Sequence, residues 1–191
     1  MILGVEETVR VGALERGSHE HVGRTVLAFL FLMLSIIATG CGEQEGQEDL
    51  AVPDAGVVRT FEVASRKHLT GGFRYDQTPP VGGDHSSAWQ ECGYYERAIS
   101  PERGVHSMEH GAVWITFRSG LGRDDMSRLR RLAESRDHVL VSRWNGELPA
   151  PLVASAWGRQ VILRSAAARE LQEFVDMYAG GSQAPEQGVP C

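Results

Sequence analysis

Between Val105 and Gly111 the chain reads Val-His-Ser-Met-Glu-His-Gly, which sets His106 and His110 four positions apart with Met108 and Glu109 between them. Two imidazoles and a carboxylate at this spacing can ligate a metal, carry protons or hydrogen-bond inside a core. The backbone decides which of them converge. On a helix, His106 and His110 share a face, Glu109 stands beside them and Met108 points elsewhere. On an extended segment His106, Met108 and His110 share a face and Glu109 turns away. The first set suits zinc; the second adds a thioether and suits copper, above all cuprous copper.

Ser100-Pro101 offers a cap residue followed by a proline at the first helical position, and Gly111 offers a stop, so the spacing predicts a short helix over 101–110 and the first geometry. Gly104 weakens that helix. Upstream, residues 67–87 are irregular, with Gly71-Gly72 and then Thr78-Pro79-Pro80-Val81-Gly82-Gly83-Asp84-His85, an ordered, turn-rich loop of the kind that carries sites. His85 at its end completes a candidate set of three histidines, His85, His106 and His110, with Glu109 as fourth ligand or as support behind them. Asp84 offers a carboxylate that either ligates or orients the His85 ring, or is a plain turn residue. Trp89 and Tyr94-Tyr95 are aromatics that could wall such a site. Trp157 reads as core or site wall, and Arg159 either pairs with Glu109 or faces water. His68 and His138 lie between polar neighbours and read as surface residues. His106 to His110 also fits the H-x-x-E-H pattern of the inverted zinc peptidases, with a third ligand at Glu170 or Glu173. A folded part of about 120 residues leaves no room for their substrate chamber, and no catalytic residue is assigned.

The elements that must position these residues form a mixed set. Strands are expected at 57–63, 113–117, 139–144, 152–157 and 160–163, and helices near 124–135 and from Ser165 to Tyr178. Asn145-Gly146 is a turn signal. Short strands meeting in turns with two or three covering helices predict an α+β fold, a single two-layer domain over 57–191 with a small, mainly antiparallel sheet. A formal net charge of −6 gives no electrostatic reason to expect nucleic acid as a partner.

Ahead of that domain the composition changes twice. Val26 to Ala38 is nearly uninterrupted apolar sequence behind Arg24, too short to span a bilayer comfortably, and reads as the core of an export signal. Ala38-Thr39-Gly40-Cys41 resembles the lipobox of bacterial lipoproteins, which implies cleavage after residue 40, lipidation of Cys41 and a membrane as partner. Residues 41–56 then form an acidic tether with little to bury. With Cys41 assigned to lipid, Cys92 and Cys191 remain as an even pair in an oxidising compartment, and a disulfide between them is predicted.

Thr78-Pro79-Pro80 through His85, the run Val105 to Gly111, Ala156-Trp157-Gly158-Arg159 and the late Pro185-Glu186 resemble, in that order, the landmarks of the bacterial family called domain of unknown function 3105. The resemblance covers roughly Phe61 to Cys191. It implies an extracytoplasmic, often membrane-anchored domain with no assigned activity, and it singles out His85, His106, Glu109, His110, Trp157 and Arg159. The family pattern often has Leu where Met108 stands here, and Ser-Gly-Pro where Gly82-Gly83-Asp84 stands. The functional expectation is an envelope lipoprotein that binds copper or zinc through the histidines. A metal-free structural or interaction lipoprotein and a small metal-dependent hydrolase are the alternatives. Three histidine nitrogens at metal-ligand range would favour the first; imidazoles each donating to a carbonyl would favour the second; a water-filled cleft beside Glu109 would favour the third.

Overall fold

The computed structural model describes residues 54–191, which belong to one compact unit. The export signal, Cys41 and nearly all of the tether lie outside the described residues. In chain order the elements are β1 (Arg59–Thr60), β2 (His68–Leu69), β3 (His85–Ser86), β4 (Gly93–Ala98), α1 (Pro101–Glu109), β5 (Val113–Phe117), α2 (Arg123–Ser135), β6 (Val139–Arg143), β7 (Leu152–Ala156), β8 (Arg159–Leu163) and α3 (Arg169–Tyr178). Six strands make one sheet in the order β1-β8-β7-β5-β6-β4, and β2 pairs with β3 separately. The fold class is α+β. The ladders β1–β8, β8–β7 and β7–β5 are antiparallel, while β5–β6 and β6–β4 are parallel.

The parallel half explains where the helices go. From β4 through α1 the chain crosses over the β6 position to β5, and from β5 through α2 it steps back to β6. Crossovers of one hand that travel in opposite directions put their helices on opposite faces. Accordingly α2 and α3 form a layer on one face: Leu129, Leu171, Phe174 and Val175 pack against Val113, Ile115, Val139 and Val141. The alternate residues of the same strands, Trp114 and Leu140, point the other way and meet Val105 and Met108 of α1 together with Trp157.

Gly104 is the reason α1 can lie so close to the sheet. A Cβ there would come within 2.8 Å of the Trp114 ring, so the glycine that weakens the helix is required by its packing. The helix ends at Glu109 with His110 as its C-cap, and Gly111 turns the chain at φ +108°. The other helix starts differ slightly from expectation: α2 begins at Arg123 with Gly122 at the cap position, and α3 at Arg169 with Ala168 there. Ser165 Oγ donates to Asp125 Oδ1 at 2.8 Å, which ties α2 to the approach of α3.

The turn-rich loop is fastened at both ends. Gly158 donates its N–H to Val81 O at 2.7 Å, and Gln160 Nε2 donates to Pro79 O at 2.9 Å, which sets the prolines against the β7–β8 turn. Gly82 has φ +143°, and a Cβ would meet Val63 at 2.9 Å and Trp157 at 3.3 Å. Near the loop's end Asp84 Oδ1 accepts from Ser65 Oγ at 2.5 Å and from the Lys67 N–H at 2.8 Å. That clamp puts β2 beside β3 in a parallel pair whose register sets His68 opposite His85. Cys92 and Cys191 form a disulfide, which closes the C-terminal tail onto the segment before β4.

Candidate metal centre

Four side chains converge where α1 passes the β2–β3 pair. His68, His85, His106 and Glu109 each offer a ligand atom, all within 4.8 Å of one another. β3 supplies His85, β2 the neighbouring His68, and one face of α1 supplies His106 and Glu109. The strap that holds α1 in place is the loop 86–90. Ser107 Oγ donates to Gln90 O at 2.5 Å, and the Gln90 N–H donates back to Ser107 Oγ at 3.0 Å.

Each buried ring is fixed through its Nδ1. His85 Nδ1 donates to Gly83 O at 2.8 Å, His106 Nδ1 to Ser86 O at 2.7 Å and His110 Nδ1 to Pro190 O at 3.0 Å. An imidazole committed in this way presents Nε2 as its ligating nitrogen, the arrangement found behind metal-bound histidines. His85 Nε2 faces Glu109 Oε2 at 2.9 Å, and His106 Nε2 faces His110 Nε2 at 3.0 Å. The carbonyl criterion set at the outset is met for His85, His106 and His110, and the same bonds leave the Nε2 of each ring facing inward.

Glu109 is 1% exposed, and a buried carboxylate needs partners. Its two oxygens divide the work. Oε2 faces His85 at 2.9 Å and His68 Nε2 at 3.5 Å, while Oε1 accepts from Arg66 at 3.4 Å. Burial pushes the His106 imidazole below its usual range. The bond to the Ser86 carbonyl opposes that shift, and the neighbouring His110, His85 and His68 rings add to it. A ring that resists protonation is a competent ligand at neutral pH.

Two pairs of the donor set have a spacing compatible with zinc. Two donors about 2.0–2.1 Å from a zinc ion and 2.9 Å apart, as His85 and Glu109 are, subtend about 90° at it, and a 3.5 Å separation such as that of His68 and Glu109 subtends about 115°. Drawing a group spread over as much as 4.8 Å onto one ion takes ring shifts of about an ångström against zinc–ligand lengths. His68, half-exposed on a two-residue strand, has the freedom to make one.

Several expected roles change. His68, expected at the surface, joins the group: its ring stacks on His106 at 4.8 Å and meets His85 edge-on at 4.8 Å. His138 stays apart, at the tail, on Val189 O. His110 is not in the four-residue group; it reaches that group through His106. Asp84 touches no imidazole nitrogen and acts as the loop clamp, its carboxyl held below the usual range by the Ser65 hydroxyl first and the Lys67 N–H second. Met108 is fully buried among Val105, Trp114 and Leu140, so its thioether belongs to the core. Arg159 bonds the Gly158 carbonyl, and Arg66 takes the place beside Glu109. Trp157 does wall the site, edge-on to His85 at 6.1 Å. Trp89 lies over His106 and His110, whereas Tyr94 stacks on Phe117 in the opposite layer. Glu170 and Glu173 ride on α3 across the sheet, Glu173 paired with Arg169, so the peptidase ligand set is not assembled.

His68 and Arg66 had no spacing signal, and Glu186, whose carboxylate lies 3.6 Å from His110 Nε2, stands only in the late Pro185-Glu186 landmark. The one usable hint was that His68 opens the irregular loop that His85 ends, and a loop whose ends pair brings such residues together.

Fold and cluster together define an α+β domain built around a buried histidine–carboxylate group, with a disulfide closing its tail. The family model described as Protein of unknown function (DUF3105) matches residues 67–191, and the chain belongs to that family. All four grouped residues and both cysteines fall inside the match. No curated protein and no solved structure matches the chain. Among the described residues no helix is long and apolar enough to cross a membrane, and the disulfide is compatible with an extracytoplasmic location.

Proposed function

We propose that this protein is a lipid-anchored, extracytoplasmic domain that binds one transition-metal ion, zinc or cupric copper, through His68, His85, His106 and Glu109. Its role is acquisition, buffering or delivery of that metal at the cell envelope. The observation that carries the reading is the common orientation of the rings: Gly83, Ser86 and Pro190 carbonyls hold Nδ1 of His85, His106 and His110, and Nε2 faces inward toward Glu109 or a second imidazole. Three nitrogens and a carboxylate suit a borderline divalent ion, and the burial of Met108 removes the thioether that favoured cuprous copper. With Oε2 toward the ion, Glu109 keeps Oε1 on Arg66, which fixes the carboxylate as a one-oxygen ligand.

The test is elemental analysis of the mature protein purified without a metal-affinity step, followed by titration with zinc and copper under tryptophan fluorescence. One equivalent of ion, lost in His85→Gln and retained in Met108→Leu, is the expected result. A protein that retains no ion and responds to neither metal would remove the reading. The anchor has its own test: Cys41→Ser should move the protein from the membrane fraction to the soluble one, and continued membrane retention would refute it.

The metal-free alternative has one observation on its side. Glu109 already has an ionic partner in Arg66 and a close hydrogen-bonding partner in His85, enough to make a self-sufficient polar network. The same titration separates the two. A hydrolase gains no support, since Glu109 is buried with both oxygens engaged.

A further inference from the structure

We propose that the cleft between α2 and the start of α3 is a binding site for a phosphate-bearing anion, held by Arg128, Arg131 and Arg169. The cleft belongs to the α2–α3 layer, on the face of the sheet opposite α1 and the histidine–carboxylate group. It stands independently of the metal reading.

The cleft has a volume of about 370 Å³, and Arg128, Arg131 and Arg169 all line it, whereas no aspartate or glutamate does. Arg128 and Arg131 are three positions apart on α2 and so share one helix face. Arg169 is the first residue of α3 and comes from the other wall. No side chain caps α3 at Ala168, so the positive end of its backbone dipole adds to the same charge. Neighbouring carboxylates are turned away or engaged. Glu170 lies against Gly56, and Asp125 Oδ1 accepts from Ser165 Oγ at 2.8 Å and from the Ala166 N–H at 2.9 Å.

The pairing of the arginines points to a ligand. Arg130 pairs with Glu96, Arg136 with Asp176 and Arg169 with Glu173. The guanidinium groups of Arg128 and Arg131 have no hydrogen-bond or ion-pair partner among the described residues. On a chain of formal net charge −6 carboxylates are plentiful, yet these two cations, neighbours on one helix face, repel each other across a cleft that holds none. An anion there removes the repulsion. A tetrahedral phosphate offers several oxygens to planar guanidinium forks and carries up to about two charges near neutral pH. The rest of the lining includes Leu132, Leu171 and Ala166 to Ala168, an apolar floor, and the volume falls at the lower end of the roughly 300–1,000 Å³ range of ligand pockets. The cleft therefore has room for an organic residue beside the phosphate, as in a soluble phosphate compound or a lipid headgroup.

The experiment uses the chain from residue 41 onward carrying Cys41→Ser, so that no acyl chain contributes. Inorganic phosphate is one probe, followed by equilibrium dialysis; vesicles of phosphatidylcholine with and without phosphatidylglycerol are the other, followed by co-sedimentation. Arg128→Gln and Arg131→Gln are each expected to weaken binding about fivefold, the worth of one arginine at an anionic surface. Arg74→Gln, which removes the same charge from the turn-rich loop, should leave it unchanged. All three arginines are exposed, so the variants should melt as the unaltered protein does. Arg131→Lys keeps the charge and loses the planar fork, and its affinity should fall between those of the unaltered protein and Arg131→Gln. Phosphate bound at one equivalent, with the loss in both cleft variants, assigns a soluble phosphate compound. Sedimentation only with the anionic vesicles, with the same loss and no binding of inorganic phosphate, assigns a lipid headgroup. Binding of neither probe would overturn the proposal, and so would an equal loss in Arg74→Gln, which would reduce the effect to net charge.

Discussion

His85→Ala and Glu109→Gln remove the two ends of one buried contact, and the structure predicts that they differ sharply in metal-free protein. The His85 ring is inaccessible and its Nε2 stands 2.9 Å from Glu109 Oε2. Without that ring the carboxylate keeps only Arg66 at 3.4 Å and His68 at 3.5 Å, side chains 57% and 46% exposed and therefore weak, screened partners. Stranding a buried charge in this way costs about 3–5 kcal/mol, which at about 4 °C per kcal/mol for a domain of this size lowers Tm by about 12–20 °C. Glu109→Gln removes the charge and keeps the shape, and the introduced amide can still hydrogen-bond to His85 Nε2. Its cost is that of weakening a charge-assisted hydrogen bond, about 1–2 kcal/mol, or about 4–8 °C. The assay is thermal denaturation under near-ultraviolet circular dichroism at pH 7.5 with chelator present. Equal losses, or the reverse order, would refute the assignment of His85 as the principal partner of Glu109. Repeating the melts with zinc at about 100 times its Kd should stabilise the unaltered protein by about 2.7 kcal/mol, a gain that both variants lose.

Other expectations follow from single contacts. Gly104→Ala places a methyl group within 2.8 Å of the Trp114 ring, an overpacking cost of about 1–3 kcal/mol against a helix-propensity gain of at most about 1 kcal/mol; net stabilisation in a urea melt would contradict the packing argument. Burial holds the His106 imidazole below its ordinary range, so the unfolded chain takes up the proton first. Its contribution to stability is complete above pH about 6.5 and is lost as pH falls below it. His106→Gln should therefore flatten the fall in urea midpoint between pH 7.5 and 5.5, and an unchanged slope would count against it. Reducing the Cys92–Cys191 bridge, whose cysteines are 99 residues apart, should cost up to about 4–5 kcal/mol on the chain-entropy estimate, and a Tm insensitive to a phosphine reductant would show that the bridge contributes nothing.

Residue types and local spacing made a good part of this protein legible. Pro101 and Gly111 delimit α1, so the i, i+4 relation of His106 and His110 and the turning of Met108 away from their face follow from helix geometry. The α+β class, the positions of β5 to β8 and the pairing of Cys92 with Cys191 were also readable, because alternation, caps and cysteine parity are local or countable features. Other relations are not written in any short stretch. Asp84 clamps residues 65–67 and thereby sets His68 opposite His85. Arg66 reaches Glu109 although Arg159 was the expected partner, and Glu186 reaches His110 from 76 positions away because the disulfide closes the tail. The insertion of β6 between β5 and β4, which places α1 opposite α2, is of the same kind. Backbone periodicity depends on the nearest few residues and survives in the sequence. Which distant side chains meet depends on how the whole core closes, and that is decided only when the sheet and its layers have packed.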